Sequence, residues 1–245
     1  PTSGAIGMLA IGAGGMDVAV AMAGFPMRLK MPAVVRVNLI NRLRPGCSAK
    51  DVALEMLRRF TVKGGLGKAF EYTGEGVKTL EVPERGTIAN MGAEMGATTS
   101  IFPADEVVRR FFAAQGREKD FVPLSADEGC GYDEEITLDL SKIEPLVACP
   151  DMPDNVKTIR EVHDIPVQQV YIGSCTNASY ADIKKAAVIL KGRTVNENVS
   201  LTVSVATRQT FRQLLKEGII TDLVDSGARI TEIACGACPG IGQAP

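Results

Sequence analysis

The sequence predicts a layered α/β protein, built of α/β/α domains with mainly parallel sheets. Three observations carry this expectation. Apolar runs rich in valine and isoleucine at 34–40, 167–172 and 201–206 read as buried strands. Each is followed by a helix-period stretch that opens on a Ser or Thr cap. The strand–helix rhythm then repeats, as it does where helical crossovers join parallel strands.

Residues 4–27 hold one charge, Asp17, among six glycines and six alanines. That stretch is too weakly hydrophobic for a membrane span and lacks a basic flank, so it predicts a wholly buried helix. A chain opening on Pro1 inside apolar sequence is expected to be part of something longer. Gly12-Ala13-Gly14-Gly15 imitates a dinucleotide fingerprint, but no acidic residue stands about twenty positions on. Gly64 to Lys68 imitates a phosphate loop, with Val62 replacing its first glycine and Ala69 its magnesium-binding hydroxyl. Neither carries a nucleotide site.

After the strand at 34–40, Pro45-Gly46 marks a turn and Ser48-x-x-Asp51 a capping box. The helix that follows places Val52, Met56, Leu57 and Phe60 on one face. A short strand is expected at 69–72 and a turn at Gly74 and Gly76. A second helix should start near Pro83 and run through Asn90 and Glu94, and a third should start at Pro103 with Val107, Val108, Phe111 and Phe112 as its core stripe. Residues 117–155 are less periodic, which sets a domain boundary near 145. Beyond it come the strand at 167–172, a helix capped by Ser179-x-x-Asp182, and the strand at 201–206. A helix from Thr207 to Gly218, a short helix at 221–226 and a last strand at 230–233 complete the chain.

At 245 residues, 45% hydrophobic and 23% charged, this is globular material. A net charge of −2 and a sequence pI near 5.6 give no footprint for nucleic acid, which is not expected as a partner, and no membrane partner is expected either. Six unevenly spaced cysteines without a secretory segment point to reduced thiols and a cytoplasmic setting. Cys47, Cys130 and Cys149 lie in turn-like contexts and read as plain thiols; His163, before a proline break, reads as a surface histidine.

Cys175, in Gly-Ser-Cys-Thr-Asn, and the pair Cys235-Gly-Ala-Cys238 are different. Three thiolates are one short of closing a tetrahedral metal site or holding every iron of a cubane cluster. A site one ligand short keeps a position for substrate. Cys175 and Cys235 each follow a predicted strand. If those strands are parallel, both loops leave the carboxyl edge of one sheet, where open α/β sheets bind ligands. Asn90 and Glu94, four apart on a predicted helix, should share a face. Gly86, Gly92 and Gly96 around them allow close approach, while Ile88, Met91 and Met95 form the core side.

Residues 90–103, 173–177 and 234–243, with the opening Pro1-Thr2-Ser3-Gly4, resemble the aconitase family of iron–sulfur hydro-lyases from end to end. The resemblance implies that Cys175, Cys235 and Cys238 hold a [4Fe–4S] cluster whose fourth iron binds the substrate's hydroxyl and carboxylate. It implies that Glu94 is a carboxylate near the iron-bound hydroxyl or water, and Asn90 an amide beside the cluster. The implied reaction is aconitate hydratase chemistry on a small hydroxy-tricarboxylic acid, citrate to isocitrate through cis-aconitate, in the tricarboxylic acid cycle. The family's Asp-Ser-His-Thr motif would precede Pro1, and its substrate arginines and proton-abstracting serine would lie beyond Pro245. The chain is therefore expected to be a central fragment: a remnant of the first domain at 1–32, a second domain at 33–145 and a third at 146–245. Its partners would be the missing N- and C-terminal domains, without which it is expected to be inactive. The alternatives are the large subunit of isopropylmalate isomerase or homoaconitase, and, from another class, a metal-stabilised or RNA-binding module without activity.

Overall fold

The computed structural model describes residues 2–174, 176–234 and 236, with the side chains of Thr2 and Ser3 excepted. The chain divides into two compact units, Pro1–His163 and Asp164–Pro245.

The first unit is built on a four-stranded parallel sheet of β1 (Ala33–Ile40), β2 (Lys68–Thr73), β3 (Thr99–Ile101) and β4 (Glu134–Asp139), ordered β3-β2-β1-β4. Val35, Val37 and Leu39 alternate inward on β1, and Phe70 and Tyr72 sit beside Val35 and Val37 on β2. Helix α2 (Ala49–Phe60) closes over that face with Val52, Met56 and Leu57 fully buried, and α3 (Val82–Met91) packs beside it with Ile88. The opposite face carries a polar row: Arg36 Nε donates to Thr73 Oγ1 at 3.0 Å, and Asn38 Nδ2 to Thr137 Oγ1 at 3.4 Å. Strand β4 falls within the stretch that lacks obvious rhythm. Its signal is a short period of two, with Ile136 and Leu138 set between Glu135, Thr137 and Asp139.

The unit continues past the boundary expected at 145. The antiparallel pair β5 (Leu146–Ala148) and β6 (Val156–Thr158) packs on α2. The attachment runs through Asp51, a buried carboxylate that accepts from the Ser48 backbone N–H at 2.6 Å and the Leu146 N–H at 2.7 Å. One residue thus caps a helix and anchors the strand after it, and the expected division moves to His163.

The opening segment also belongs to this unit. A 3-10 helix at Thr2–Ile6 lies on α3 and β3, and Phe102 N–H donates to Gly4 O at 2.8 Å. The wholly buried helix expected next is not found. Helix α1 (Gly15–Met22) has no buried residue, and Met16 and Met22 are 79% and 84% exposed. Apolar composition specifies that a surface should be covered, but not by what. Helix α4 (Glu106–Ala114) starts at Asp105, whose side chain accepts from the N–H groups of Val107 and Val108. Val107 and Val108 are buried in a small cluster with Ala5 and Val82.

The second unit holds a parallel sheet of β7 (Gln169–Ile172), β8 (Ser200–Ser204) and β9 (Arg229–Thr231), in chain order. Helix α5 (Tyr180–Leu190) joins β7 to β8; α6 (Arg208–Lys216) and α7 (Ile219–Asp225) join β8 to β9. Right-handed crossovers between strands in sequential order place their helices on one face. The three helices accordingly touch one another and share a core with Val170, Ile172, Leu201, Val203 and Ile230. Tyr171, Thr202 and Thr231 lie on the other face by register. Ser179 and Asp182 form the expected capping box, and Gly218, at φ 75°, separates α6 from α7.

Candidate functional site

Cys175, Cys235 and Cys238 lie outside the described residues, and the stems that carry their loops lie within them. Strands β7 and β9 flank β8 and run parallel to it, with Ile172 beside Val203 and Val203 beside Ile230. Both cysteine-bearing loops therefore leave the same carboxyl edge, as expected from sequence. Three close approaches bind the stems there. Gly173 has φ 135° and lies so near Ser204 that an added Cβ would overlap the Ser204 carbonyl oxygen. Ser204 Oγ donates to Glu232 O at 3.0 Å, joining the end of β8 to the chain leaving β9. Gly236, at φ 52°, lies where a Cβ would come within 2.9 Å of Tyr171 Oη. Glycine in Gly-Ser-Cys-Thr-Asn and in Cys-Gly-Ala-Cys thus has one reason: backbone passes backbone or ring with no room for a side chain.

Next to Cys175, Ser174 is 8% exposed, and among the described residues its Oγ finds no hydrogen-bond partner. It also has φ 71°, a conformation that L residues adopt under constraint. A buried hydroxyl without an acceptor, glycine-tightened loops and soft thiolate donors together fit an iron–sulfur cluster.

Asn90 and Glu94 belong to the first unit. Helix α3 opens with Glu81 N–H donating to Glu84 Oε2 at 2.8 Å and with Pro83 in its first turn. The single helix expected to run through both residues is two pieces: α3 ends at Met91, and Gly92–Met95 winds as a 3-10 helix. Its tighter winding turns Glu94 about 60° further around the axis than a continuous α-helix would. Gly92, at the junction, packs closely on β3: a Cβ there would stand 2.5 Å from Ser100 Oγ. Asn90 is half-buried and hydrogen-bonded or otherwise engaged; Glu94 is exposed. Gly65 N–H donates to Met95 O at 2.9 Å and Thr98 N–H to Lys68 O at 2.9 Å, which places this turn at the amino end of β2.

Sequence reasoning missed Arg85. It is fully buried on α3 and donates to Leu80 O, Val77 O, Pro103 O and both carboxylate oxygens of Asp105, at 2.8–3.2 Å. The available signal was its place beside Ile88 and Ala89 on the inward side of the helix. Cys47 behaves as the plain thiol expected. It donates to Ile143 O at 3.3 Å, and burial, with Asp51 beside it, pushes the thiol up. His163 is exposed, and no helix among the described residues is long and apolar enough to cross a membrane.

The model of the aconitase family (aconitate hydratase) matches residues 1–164 and 157–245. The 3-isopropylmalate dehydratase large subunit 2 of Archaeoglobus fulgidus is 44% identical over 242 residues, covering 99% of this chain and 58% of its own length. The large subunits of 3-isopropylmalate dehydratase from Elusimicrobium minutum and Nitratidesulfovibrio vulgaris are 39% and 42% identical, covering 98% of this chain and 57% of their own. The chain thus spans a little over half the length of these relatives. A crystal structure of Thermococcus kodakaraensis aconitase X (holo-form) aligns at TM-score 0.44 and 15% identity, covering 84% of this chain and 44% of that one. The relatives' names match the isopropylmalate alternative rather than citrate and the tricarboxylic acid cycle. The motifs quoted from the sequence carry the family resemblance, and nothing in them reads the substituent that distinguishes the two acids. Matched from end to end by the family model, the chain belongs to the aconitase family.

Proposed function

We propose that this chain is the cluster-bearing part of the large subunit of a 3-isopropylmalate dehydratase, a hydro-lyase that moves a hydroxyl between neighbouring carbons of a branched hydroxy-dicarboxylic acid. The observation that carries the reading is the convergence of the β7 and β9 stems on one sheet edge, in a chain whose relatives share that name. Cys175, Cys235 and Cys238 would hold a [4Fe–4S] cluster, which when bound supplies a Lewis acid that activates hydroxide as a leaving group. Glu94, solvent-facing on its 3-10 turn, would give a proton to the departing hydroxyl and take one back from the water that re-adds. Asn90, one turn earlier and half-buried, orients a substrate oxygen through its amide. A smaller subunit is the expected partner, because the relatives are large subunits by name.

The deciding assay uses the full chain with the remainder of its enzyme and the smaller subunit, on isopropylmalate, citrate and homocitrate. Turnover of isopropylmalate alone supports the reading; preference for citrate returns the assignment to aconitate hydratase. Anaerobic reconstitution with iron and sulfide should give four irons, and Cys→Ser at 175, 235 or 238 should abolish this, while Cys130→Ser should not. Stoichiometric zinc with no visible absorption would favour a metal-stabilised module instead.

A further inference from the structure

We propose that the Ser174 hydroxyl donates a hydrogen bond to a sulfur of the bound cluster and raises its reduction potential. The inference rests on the cluster-binding reading above. Among the described residues, Ser174 Oγ is one of the few buried side-chain polar atoms without a partner, and it belongs to the residue next to Cys175. Ser204, packed against the preceding Gly173, already donates its hydroxyl to Glu232 O, and Thr176 has an interaction of its own. A serine hydroxyl always carries a proton to give, and an anionic thiolate or sulfide is an acceptor that needs none in return. The backbone fixes the residue as well as its burial does: Gly173, wedged against Ser204, leads directly into Ser174 at φ 71°. Such a conformation persists where the surroundings impose it, and is found where a side chain must be held in one place. Hydrogen bonds to cluster sulfurs stabilise the reduced, more negative state and so raise the potential.

The test is a redox titration of the full chain, reconstituted anaerobically and followed by visible absorption and electron paramagnetic resonance, beside Ser174→Ala and Ser174→Gly. Alanine removes the hydroxyl; glycine removes the hydroxyl and relieves the backbone. Both variants should keep four irons, titrate at a lower potential than the parent, and bleach several-fold faster in air. Unchanged potentials in both variants, with four irons bound, would mean that water or nothing meets the hydroxyl, and the proposal falls. A shift in the alanine variant alone would trace the effect to backbone strain and overturn it too. If the parent takes up no iron, the cluster reading has failed before the serine is at issue.

Discussion

Arg85 shows how much of the first unit depends on one side chain. Its guanidinium satisfies three carbonyls and the Asp105 carboxylate, which at the same time caps α4. Replacing Arg85 with methionine fills much of the space but leaves the Val77 and Leu80 carbonyls without their buried donor and strips half-buried Asp105 of its charge partner, leaving it only the Val107 and Val108 N–H groups. Breaking a buried pair from one side in this way costs about 3–5 kcal/mol. Urea unfolding of Arg85→Met should show that loss, and Arg85→Lys should recover only part of it, because an ammonium cannot reproduce the planar fork. A second residue-scale expectation concerns Gly92. Gly92→Ala places its Cβ against Ser100 Oγ and should destabilise by about 1–3 kcal/mol through overpacking. Among the described residues Ser100 Oγ has no hydrogen-bond partner, so Ser100→Ala alone should be close to neutral and should restore most of the loss in the double variant. If the two changes add without recovery, the contact with Ser100 is not the source of the loss.

Among the elements, α5 and α6 are linked through Glu217. Tyr180 Oη donates to Glu217 Oε2 at 2.6 Å, Gln213 Nε2 to Glu217 Oε1 at 2.6 Å, and Lys184 Nζ lies 3.7 Å away. These groups, Tyr180 foremost, hold the carboxyl below the usual glutamate range. A depressed folded-state value contributes stability above the unfolded value of about 4.3, and the contribution is lost as pH falls through the folded one. Thermal unfolding at pH 7 and pH 3 should therefore show a smaller acid-induced drop for Glu217→Gln than for the parent. An equal drop would show that the link carries no pH-dependent stability. Most elements were legible in the sequence, because their signals are local: valine-rich runs for β1 and β8, caps at Ser48, Ser179 and Thr207, and stop glycines such as Gly218. The antiparallel pair at 146–158 was not, since what holds it is Asp51, about a hundred residues earlier. The break between Asn90 and Glu94 was hidden as well, since the four-residue spacing that suits an α-helix does not exclude a 3-10 turn. The cysteine loops were legible as motifs; the burial of Ser174 and its missing partner were not, for nothing in five letters says what stands over a hydroxyl.

For the molecule as a whole, the apolar segment 8–31 has the most immediate consequence. Met8, Leu9, Met16, Met22, Phe25 and Met31 are all exposed. Contiguous apolar surface of this kind drives association in water. Replacing Met16, Met22 and Phe25 with glutamine should leave unfolding free energy within about 0.5 kcal/mol, since none contributes to a core. The same variant should reduce self-association in sedimentation experiments, and undiminished association would place the sticky surface elsewhere. At this scale the α/β class and parallel sheets followed from sequence, while the division at His163 required the tertiary contacts of residues 146–163.

Ser204 ends the central strand of the second unit with its carbonyl against one cysteine-bearing stem and its hydroxyl bonded to the other. That residue works like the pivot pin of a pair of tongs. Neither jaw can swing without dragging the pin, so fraying at the tip of β8 would loosen both at once.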